Sequence, residues 1–504
     1  MPKTLVSAVR QVACRAPEAI ALEWRAVRWT YRDLMDATDR VSGVLTAAGL
    51  EPCGRVALLL RNSPQYVAAY YGVMAAGAVA VPLNAQERAP VLARQIEHSG
   101  ASVLIGDPAH PEWASLRGAV AERVAVVELT LCEDAGALDR LAADLAAARL
   151  AVAADVAPPA PADLAAIIYT SGTTGRPKGV MLSAENLLAN AEAIASYLRL
   201  TPDDRGLCVL PFHFSYGNSV LNSHLLAGAR LVLDDNLAYP HLTLRRIGEA
   251  GITGFAGVPS TFALLLGRCN LQEFDLRSLR YLTQAGGAMP LALIERLRSE
   301  LPWAELFVMY GQTEATARIT YLPPERLPDK AGSVGLPVPG VEIQIRSATG
   351  PVAAGEVGEV HVRGPNVMLG YWRDPEATAA ALRDGWLATG DLGRLDDEGF
   401  LYLEGRLVDM IKVGAYRVSP LEVEEALATL PGVQEVAVVG IADPLLGQAV
   451  KAVIVPRPDA ALDVRQVKAH CRAQLASYKV PKEVELVSEL PRTASGKVQR
   501  FQLA

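Results

Sequence analysis

The sequence predicts an α/β fold: a large N-terminal domain of layered α/β sheets with a β-barrel-like subdomain, followed by a small α+β domain. One observation is a series of short Val, Ile and Leu runs that alternate with helical stretches, at residues 56–60, 101–107, 230–235, 252–258 and 280–287. Strands buried on both faces have this pattern. The other is a change near residue 340 to short strand–turn–strand segments, which are typical of antiparallel hairpins.

A domain boundary is predicted after Glu404. The chain has 504 residues, enough for more than one domain, and a net charge of −7. Residues 405–504 carry 13 Lys or Arg against 11 Asp or Glu, so this part is slightly basic and the rest is acidic. We therefore expect domains of 1–404 and 405–504, and their opposite charges suit an anionic ligand bound between them.

The composition argues against several classes of protein. The absence of a long basic run argues against a nucleic-acid surface. The N-terminus predicts an amphipathic helix and a strand rather than a signal peptide. Residues 66–83 are apolar, but Gly72, Gly77 and Pro82 interrupt them, which predicts a helix and a buried strand rather than a membrane span. Six scattered cysteines without a CxxC motif predict buried thiols. We expect a soluble cytoplasmic protein.

A loop rich in glycine and hydroxyl groups, YTSGTTGRPKGV, spans residues 169–180. Glycine lets backbone N–H groups approach a ligand, hydroxyls donate short hydrogen bonds and Lys178 adds a cation, so the loop predicts a phosphate site. A strand at 164–169 precedes it, and a helix with Ser183 as N-cap follows. Residues 133–163, rich in Ala, Asp and Pro, predict a surface excursion before that strand. The loop is not a Walker A motif, because its lysine lies between Pro and Gly. The candidate phosphate ligands are Thr170, Ser171, Gly172, Thr173, Thr174, Gly175 and Lys178.

A second segment, VMYGQTEAT, places Thr313 and Glu314 after a predicted buried strand and a Gly turn. Magnesium needs hard oxygen ligands, so Glu314 is a candidate Mg²⁺ ligand beside the phosphates, and Thr313 is a candidate donor to the α-phosphate. In isolation, a Glu at the start of a helix would need no function. The remaining candidate nucleotide-binding residues of this segment are Tyr310, Gly311 and Gln312.

Two further turns predict contacts with a nucleoside. Gly286 and Gly287 follow a predicted strand, where small residues would let a purine lie against the backbone, although close helix–strand packing would also require glycine. Asp391 supplies an acceptor for ribose hydroxyls, or else caps a turn. His213, in LPFHFSYGNS, has no second metal ligand at a fitting distance along the sequence, so a core histidine is the simpler interpretation.

The motifs occur in the order found in the adenylate-forming superfamily, which contains acyl-CoA synthetases, adenylation domains of peptide synthetases and luciferases. The chain resembles this superfamily over nearly its whole length, and the resemblance implies a mobile C-terminal lid. It also implies that Lys497, in PRTASGKVQR, bridges the substrate carboxylate and the α-phosphate. Arg406 would contact the ribose or the phosphate, and His213 would lie at the carboxylate end of the acyl pocket. The resemblance likewise places the adenine at Gly286 and Gly287 and the ribose at Asp391.

Residues 407–424 resemble the hinge and first element of the family's lid, and Lys412, Gly414 and Ala415 would line the channel of the attacking thiol. This chain has Val408 where the family commonly has Asp or Lys. It has Ala415 where the family commonly has Gly, which adds one methyl group to the channel. The segment SYKVPK, at 477–482, is similar to the version found in CoA ligases.

The resemblance implies an AMP-forming acid–thiol ligase that uses ATP, Mg²⁺ and coenzyme A. The acid would form acyl-AMP and pyrophosphate, and a thiol would then attack the adenylate. Amino-acid-activating relatives carry Asp near the position of His213, and residues 207–222 contain no acid, so we expect a small carboxylic acid without an α-amine. One alternative is loading of the acid, or of an amino acid, onto a phosphopantetheinyl carrier protein, which Ala415 keeps open. Another is a non-enzymatic nucleotide-binding regulator, against which Glu314 and Lys497 argue.

Overall fold

The computed structural model describes residues 4–120, 123–148, 164–170, 178–406, 410–413, 416–443, 446–458, 460–475, 477–492 and 498–504. The α-helices in these ranges are α1 (Leu5–Arg15), α2 (Tyr31–Ala47), α3 (Pro64–Ala75), α4 (Ala89–Ser99), α5 (Trp113–Val120), α6 (Ala137–Ala147), α7 (Ala184–Tyr197), α8 (Ser215–Ala227), α9 (Pro240–Ala250), α10 (Pro259–Arg268), α11 (Leu291–Glu300), α12 (Pro375–Ala381), α13 (Pro420–Ala428) and α14 (Val464–Gln474).

The strands form three sheets. In chain order they are β1 (Ile20–Trp24), β2 (Val27–Thr30), β3 (Arg55–Leu59), β4 (Val79–Pro82), β5 (Val103–Gly106), β6 (Ala125–Glu128), β7 (Leu164–Thr170), β8 (Lys178–Ser183), β9 (Arg205–Cys208), β10 (Arg230–Leu233), β11 (Gly254–Gly257), β12 (Tyr281–Gln284), β13 (Glu305–Tyr310), β14 (Thr320–Leu322), β15 (Ser333–Pro337), β16 (Glu342–Ser347), β17 (Gly350–Pro351), β18 (Gly358–Arg363), β19 (Gly370–Tyr371), β20 (Leu382–Arg383), β21 (Trp386–Leu395), β22 (Leu401–Arg406), β23 (Ile411–Val413), β24 (Tyr416–Val418), β25 (Val433–Asp443), β26 (Gly447–Pro456) and β27 (Glu483–Leu486).

Two large sheets make up the N-terminal part. The first has the order β19-β8-β7-β4-β3-β5-β6. The second has a parallel half, β1-β10-β9-β11-β12-β13, and continues from β13 through antiparallel strands to β17, the half predicted from the change in pattern near residue 340. The third sheet is small and contains β23 to β27. The predicted boundary after Glu404 falls inside β22, which still pairs with β21 of the large sheet.

The core is layered because neighbouring residues of a strand point to opposite faces of the sheet. On β9, Leu207 packs in an outer cluster with residues of α9, α10 and α11, whereas Cys208 packs in the central cluster. That central cluster also contains buried residues of α2, α3, α7 and α8 and of the seven-stranded sheet. The five strands predicted from the apolar runs are therefore confirmed as β3, β5, β10, β11 and β12, and both faces of each are covered.

Most local predictions agree with the structure. The predicted N-terminal helix and strand are α1 and β1, and the apolar segment at 66–83 lies in α3 and β4. Ser183 caps α7, and its side chain accepts a hydrogen bond of 3.0 Å from the backbone N–H of Asn186. In the described part of the chain, no helix is both long enough and apolar enough to cross a bilayer.

Two predictions need correction, and one element was not predicted. Residues 178–183, between the predicted phosphate loop and α7, form β8, which pairs antiparallel with β7. The region predicted as a surface excursion contains α6, since Leu141 and Leu145 recur at helical spacing and are buried. The cysteines are not uniformly buried: Cys208 and Cys471 are buried, but Cys14 is exposed.

A buried histidine on α8 predicts that acid destabilises the fold. The His224 ring contacts the Val220 carbonyl oxygen at 2.8 Å and the Tyr281 hydroxyl at 2.8 Å, and burial lowers its pKa to about 4. Its pKa in the unfolded chain is about 6.5, so unfolding takes up a proton between these two values and the stability is lost as the pH falls. The free energy of unfolding should drop by about 1.4 kcal/mol per pH unit there from this residue alone.

Denaturant unfolding at pH 7 and pH 5 tests this expectation. The difference between the two pH values should be smaller in His224→Gln than in the wild type, because Gln does not titrate. An equal pH dependence in both proteins would contradict the assignment of the proton to His224.

Candidate active site

A cavity of about 1340 Å³ lies where the β7–β8 hairpin, the ends of β12 and β13, helices α8 and α10 and the small domain meet. The carboxyl ends of parallel strands β11, β12 and β13 all point to this region. Ligands commonly bind at this edge of an open α/β sheet. The small domain contributes residues of β25 and the turn after β26, so the cavity lies between the two predicted domains.

The hairpin that carries the predicted phosphate loop forms one wall. Thr170 ends β7 and Lys178 begins β8; they are paired across the hairpin, and both line the cavity. The other loop candidates, Ser171 to Gly175, lie outside the described residues. The Lys178 ammonium lies 4.6 Å from the centroid of the Tyr371 ring. The cation is therefore at the cavity wall, and its binding to phosphate stays a prediction.

Thr313 and Glu314 lie on a short 3-10 helix directly after β13 and line the same cavity. The Thr313 hydroxyl is 3.1 Å from that of Ser215, the first residue of α8. The Glu314 Oε1 atom accepts a hydrogen bond of 2.9 Å from the Tyr371 hydroxyl. Burial and the neighbouring carboxylate raise the pKa of Tyr371, so its phenol stays protonated and donates. The sequence analysis missed both partners: Ser215 contacts Thr313, and Tyr371 contacts Glu314.

The turn that follows Glu314 has an unusual backbone conformation. Thr316 and Ala317 have φ values of 52° and 85°, and Asn366 holds this turn by donating to the Ala315 carbonyl at 3.2 Å. Gly311 is required on the facing side, because a Cβ atom there would lie 1.9 Å from the Ala317 oxygen. Such strained conformations persist where the surroundings fix them, often at functional sites.

The predicted ribose acceptor, Asp391, is buried and already has two partners. Its Oδ2 accepts a hydrogen bond of 2.6 Å from the Tyr310 hydroxyl, and its Oδ1 accepts one of 3.0 Å from the Arg406 Nε. Burial and this carboxylate raise the pKa of Tyr310 well above its ordinary value. Arg406 and Gly390 line the cavity, whereas Tyr310 and Asp391 lie behind them. In this arrangement Asp391 orients Arg406 toward the cavity.

The predicted purine site is partly at the cavity surface. Gly286, with a φ of 87°, and Ala285 line the cavity, whereas Gly287 does not and its carbonyl accepts from the Gln284 amide at 2.8 Å. Gln312 also lines the cavity, and its buried Nε2 donor has no partner among the described residues. An unpartnered buried amide is costly, so this is a position where a ligand acceptor would stabilise the structure.

His213 precedes α8 and does not itself line the cavity, although Phe214 and Ser215 do. Its ring centroid lies 4.1 Å from that of Phe214, and its Nε2 has no partner among the described residues. Desolvation lowers the pKa of His213 to about 4, so the ring is neutral at physiological pH. Thus it cannot supply a permanent positive charge to a bound carboxylate, although its ring can still donate a hydrogen bond.

Part of the cavity lining consists of large apolar side chains and is here called the apolar arm; they come from the segments before α8 and α10, the loop after β10, and helices α10 and α11. The apolar arm is formed by Leu210, Phe214, Leu237, Val258, Leu264 and Leu293. Among the described residues around the whole cavity, seven side chains are cationic and only Glu314 and Glu435 are carboxylates. Glu435 pairs with Arg492 at 2.5 Å. The cavity therefore suits a ligand that has both anionic groups and an apolar body.

The residues present fit a magnesium ion held together with phosphates. Within the described ranges, no group of three or more His, Cys, Asp or Glu side chains could hold a metal ion. A site formed only by protein ligands is thus not present in them. Magnesium characteristically binds through one or two carboxylates, with water and substrate phosphates as the other ligands. Glu314 is a carboxylate of this kind.

The small domain presents Arg492 and Arg457 to the cavity, and Arg492 forms a β-bridge with Val498. Lys497, predicted to be catalytic, lies outside the described residues. So do Gly414 and Ala415 of the predicted thiol channel, and Lys412 is described only as a backbone position on β23. The roles of these four residues, like those of the other predicted site residues, stay predictions.

Comparison with known proteins gives two family matches. The family model described as AMP-binding enzyme matches residues 9–372, and the model described as AMP-binding enzyme C-terminal domain matches residues 422–497. Together they include the cavity residues Lys178, Thr313 and Glu314 of the large domain and Glu435 and Arg492 of the small domain, whereas residues 387–390 and Arg406 lie between the two matches.

Several relatives match over almost the whole chain. A feruloyl-CoA synthase from an Amycolatopsis species is 38% identical over 97% of this chain and 96% of its own length. A 3-[(3aS,4S,7aS)-7a-methyl-1,5-dioxo-octahydro-1H-inden-4-yl]propanoyl:CoA ligase from Mycobacterium tuberculosis is 37% identical over 99% of this chain and 98% of its own. The structure of o-succinylbenzoate CoA synthetase from Bacillus subtilis with its acyl-adenylate intermediate has a TM-score of 0.84 and 32% identity, and covers 98% of this chain and 97% of that one. The same enzyme has also been solved with ATP and magnesium ion.

Proposed function

The chain belongs to the AMP-binding enzyme family, and from that premise we propose that it is an ATP-dependent acid–CoA ligase. It activates a carboxylic acid to acyl-AMP, releases pyrophosphate and transfers the acyl group to coenzyme A. The observation that supports this best is the cavity in which Lys178, Thr313 and Glu314 adjoin an apolar arm. Polyphosphate and the acid can bind there side by side.

The wall formed by Lys178, Thr313 and Glu314 would hold the triphosphate. Lys178 offers a cation to phosphate oxygens, and the Thr313 hydroxyl would donate to the α-phosphate while it accepts from the Ser215 hydroxyl. Glu314 would hold Mg²⁺, which neutralises charge on the phosphates as pyrophosphate leaves. Arg406, oriented by Asp391, reaches the cavity and would contact the ribose or the phosphate.

In the first step, a carboxylate oxygen attacks the α-phosphorus and the bond to pyrophosphate breaks. Two anions must approach each other, so cations fixed around them lower the barrier. We assign this role to Lys497 on the small domain. In the second step the thiol sulfur attacks the carbonyl carbon, AMP leaves and the thiol proton is lost to solvent or base. No covalent link to the protein is needed.

The apolar arm supports an acid without an α-amine. An α-ammonium group beside the reacting carboxylate would need a carboxylate partner, since a buried unpaired charge is costly. Among the described residues of the arm and of α8, no Asp or Glu is present, and the nearest histidine is neutral. An acid whose body is aliphatic or aromatic fits this lining.

Coenzyme A is the proposed thiol because the whole-length relatives are named as CoA ligases. A phosphopantetheinyl carrier protein is the second candidate, and Ala415, which replaces a glycine common in the family, is the feature that favours it. Both acceptors carry the same pantetheine arm, so they differ only in what lies beyond it.

ATP–pyrophosphate exchange with matched pairs of acids tests the substrate class. Hexanoic acid is compared with 2-aminohexanoic acid, and 3-phenylpropanoic acid with phenylalanine, so that each pair differs only by the α-amine. Exchange should be faster with the amine-free member of each pair. Acids that support exchange are then incubated with ATP and either coenzyme A or a phosphopantetheinylated carrier protein, and thioester formation is measured.

Two outcomes would overturn parts of the proposal. Faster exchange with both amino acids would show that an α-ammonium group is accepted, although the apolar arm offers no carboxylate to pair with it. Thioester formation with the carrier protein and not with coenzyme A would replace the proposed acceptor.

A further inference from the structure

Tyr371 lies between the two charged groups of the phosphate wall. Its hydroxyl donates to Glu314 Oε1 at 2.9 Å, and its ring carries the Lys178 ammonium at 4.6 Å from the centroid. All three side chains line the cavity. Among the ion pairs of the described residues, none joins Lys178 to a carboxylate. The Lys178 ammonium and the Glu314 carboxylate thus both contact Tyr371 and do not form an ion pair with each other.

The position of Tyr371 is set by rigid structure. Residues Gly370 and Tyr371 form β19, which pairs antiparallel with β8, so that Tyr371 is opposite Val180. The Thr378 hydroxyl accepts from the Tyr371 backbone N–H at 2.8 Å. Gly370 has a φ of 140°, and a Cβ atom there would lie 2.6 Å from the Thr378 Cγ2 atom, so glycine is required for this approach.

We propose that Tyr371 is a positioning residue that holds Glu314 ready for the metal–nucleotide complex and prevents Lys178 from pairing with it. The inference rests on the proposed function, because Glu314 is there the ligand of Mg²⁺. The phenol donates to one oxygen of the carboxylate and fixes its rotamer, which leaves the second oxygen available. Without the ring, the ammonium and the carboxylate would neutralise each other, and neither would be available for the nucleotide.

Two substitutions separate the two roles. Tyr371→Phe removes the hydrogen bond and keeps the ring, whereas Tyr371→Leu removes both. The readout is binding of α,β-methylene-ATP by calorimetry at a series of Mg²⁺ concentrations, which needs no acid and no turnover. Tyr371→Phe should raise the half-saturating Mg²⁺ concentration by about 10-fold, the effect of one hydrogen bond to a charged group. Tyr371→Leu should raise it further and also weaken binding of the analogue at saturating Mg²⁺.

Tyr31→Phe is the matched control. The Tyr31 hydroxyl donates a buried hydrogen bond of 2.8 Å to the Ala229 carbonyl, far from the cavity lining. This variant should lose stability and keep the Mg²⁺ dependence of the wild type. In a Glu314→Gln background, Tyr371→Phe should cause no further change, because its effect acts through the carboxylate.

An unchanged Mg²⁺ dependence in Tyr371→Phe, or an equal shift in Tyr31→Phe, would overturn the inference. A full additional shift in the Glu314→Gln background would also overturn it. Failure of the proposed function would give a different result. The wild-type protein would then catalyse no ATP–pyrophosphate exchange with any acid, but it could still bind α,β-methylene-ATP in a Mg²⁺-dependent manner.

Discussion

Glu314→Gln is expected to slow ATP–pyrophosphate exchange by about 10²–10³-fold, the range seen when one group that stabilises transition-state charge is removed. The Gln side chain keeps the shape of Glu but loses the negative charge that a hard cation requires. Glu314 is partly exposed at the cavity, and among the described residues its side chain is hydrogen-bonded to Tyr371 alone, so the fold should survive. Exchange should be measured over a range of Mg²⁺ concentrations with the same acid.

Glu435→Gln provides the control for Glu314. This carboxylate also lines the cavity, but Arg492 neutralises it at 2.5 Å. Its removal should leave the Mg²⁺ dependence of exchange unchanged. Wild-type exchange in Glu314→Gln, at every Mg²⁺ concentration, would remove Glu314 from the reaction.

Lys497→Ala should almost abolish acyl-AMP formation, with a loss of about 10³-fold or more, while thioester formation from supplied acyl-AMP stays largely intact. The physical reason is that only the first step brings two anions together, the carboxylate and the α-phosphate. In the second step the nucleophile is a thiol and the carboxylate charge is already gone. The two half-reactions are measured separately, by exchange and by conversion of synthetic acyl-AMP.

Lys468→Ala is the comparison variant for Lys497. Lys468 lies on α14 of the same domain, and its ammonium donates to the Lys482 carbonyl at 2.6 Å. Removing it changes the charge of the small domain equally and should leave both half-reactions unaffected. If Lys497→Ala slowed both half-reactions to the same extent, a role confined to the first step would be wrong.

Local sequence patterns predict many elements of the large domain, and two of these, β11 and β12, end at the cavity. The apolar runs identify strands β3, β5, β10, β11 and β12, because strands buried on both faces consist mostly of apolar residues. Ser183 was identified as an N-cap from its position before a helical pattern, and its bond to Asn186 agrees. Lys178, Thr313 and Glu314 were singled out by their chemistry, and the structure brings them to one cavity.

Contacts between distant segments could not be predicted in the same way. Tyr371 is 57 residues from Glu314 in sequence, and Ser215 is 98 residues from Thr313. These contacts depend on how sheets and helices pack, which periodicity within one segment does not encode. Asp391 illustrates the same limit, since its role as a turn cap or ligand was judged locally, whereas its partner Tyr310 comes from another strand.

The β7–β8 hairpin shows a different reason for a missed feature. Only three apolar residues, 180–182, separate the glycine-rich loop from Ser183, the N-cap of the following helix, and a run this short does not predict a strand. Helix α6 was missed because its many alanines give little contrast between faces, although alanine has the highest helix propensity. In both cases the element exists because of tertiary packing on a neighbouring strand or helix.

The central claim is that the acid attacks the α-phosphorus of ATP and becomes bound to AMP. It is tested most directly with an acid that supports exchange and is labelled with ¹⁸O in both carboxyl oxygens, incubated with ATP, Mg²⁺ and coenzyme A. One labelled oxygen should appear in AMP and the other should stay in the thioester, because the attacking oxygen becomes the bridge and leaves with AMP. Mass spectrometry of both products gives the result. Label in inorganic phosphate together with ADP, or AMP without label, would contradict the proposed chemistry.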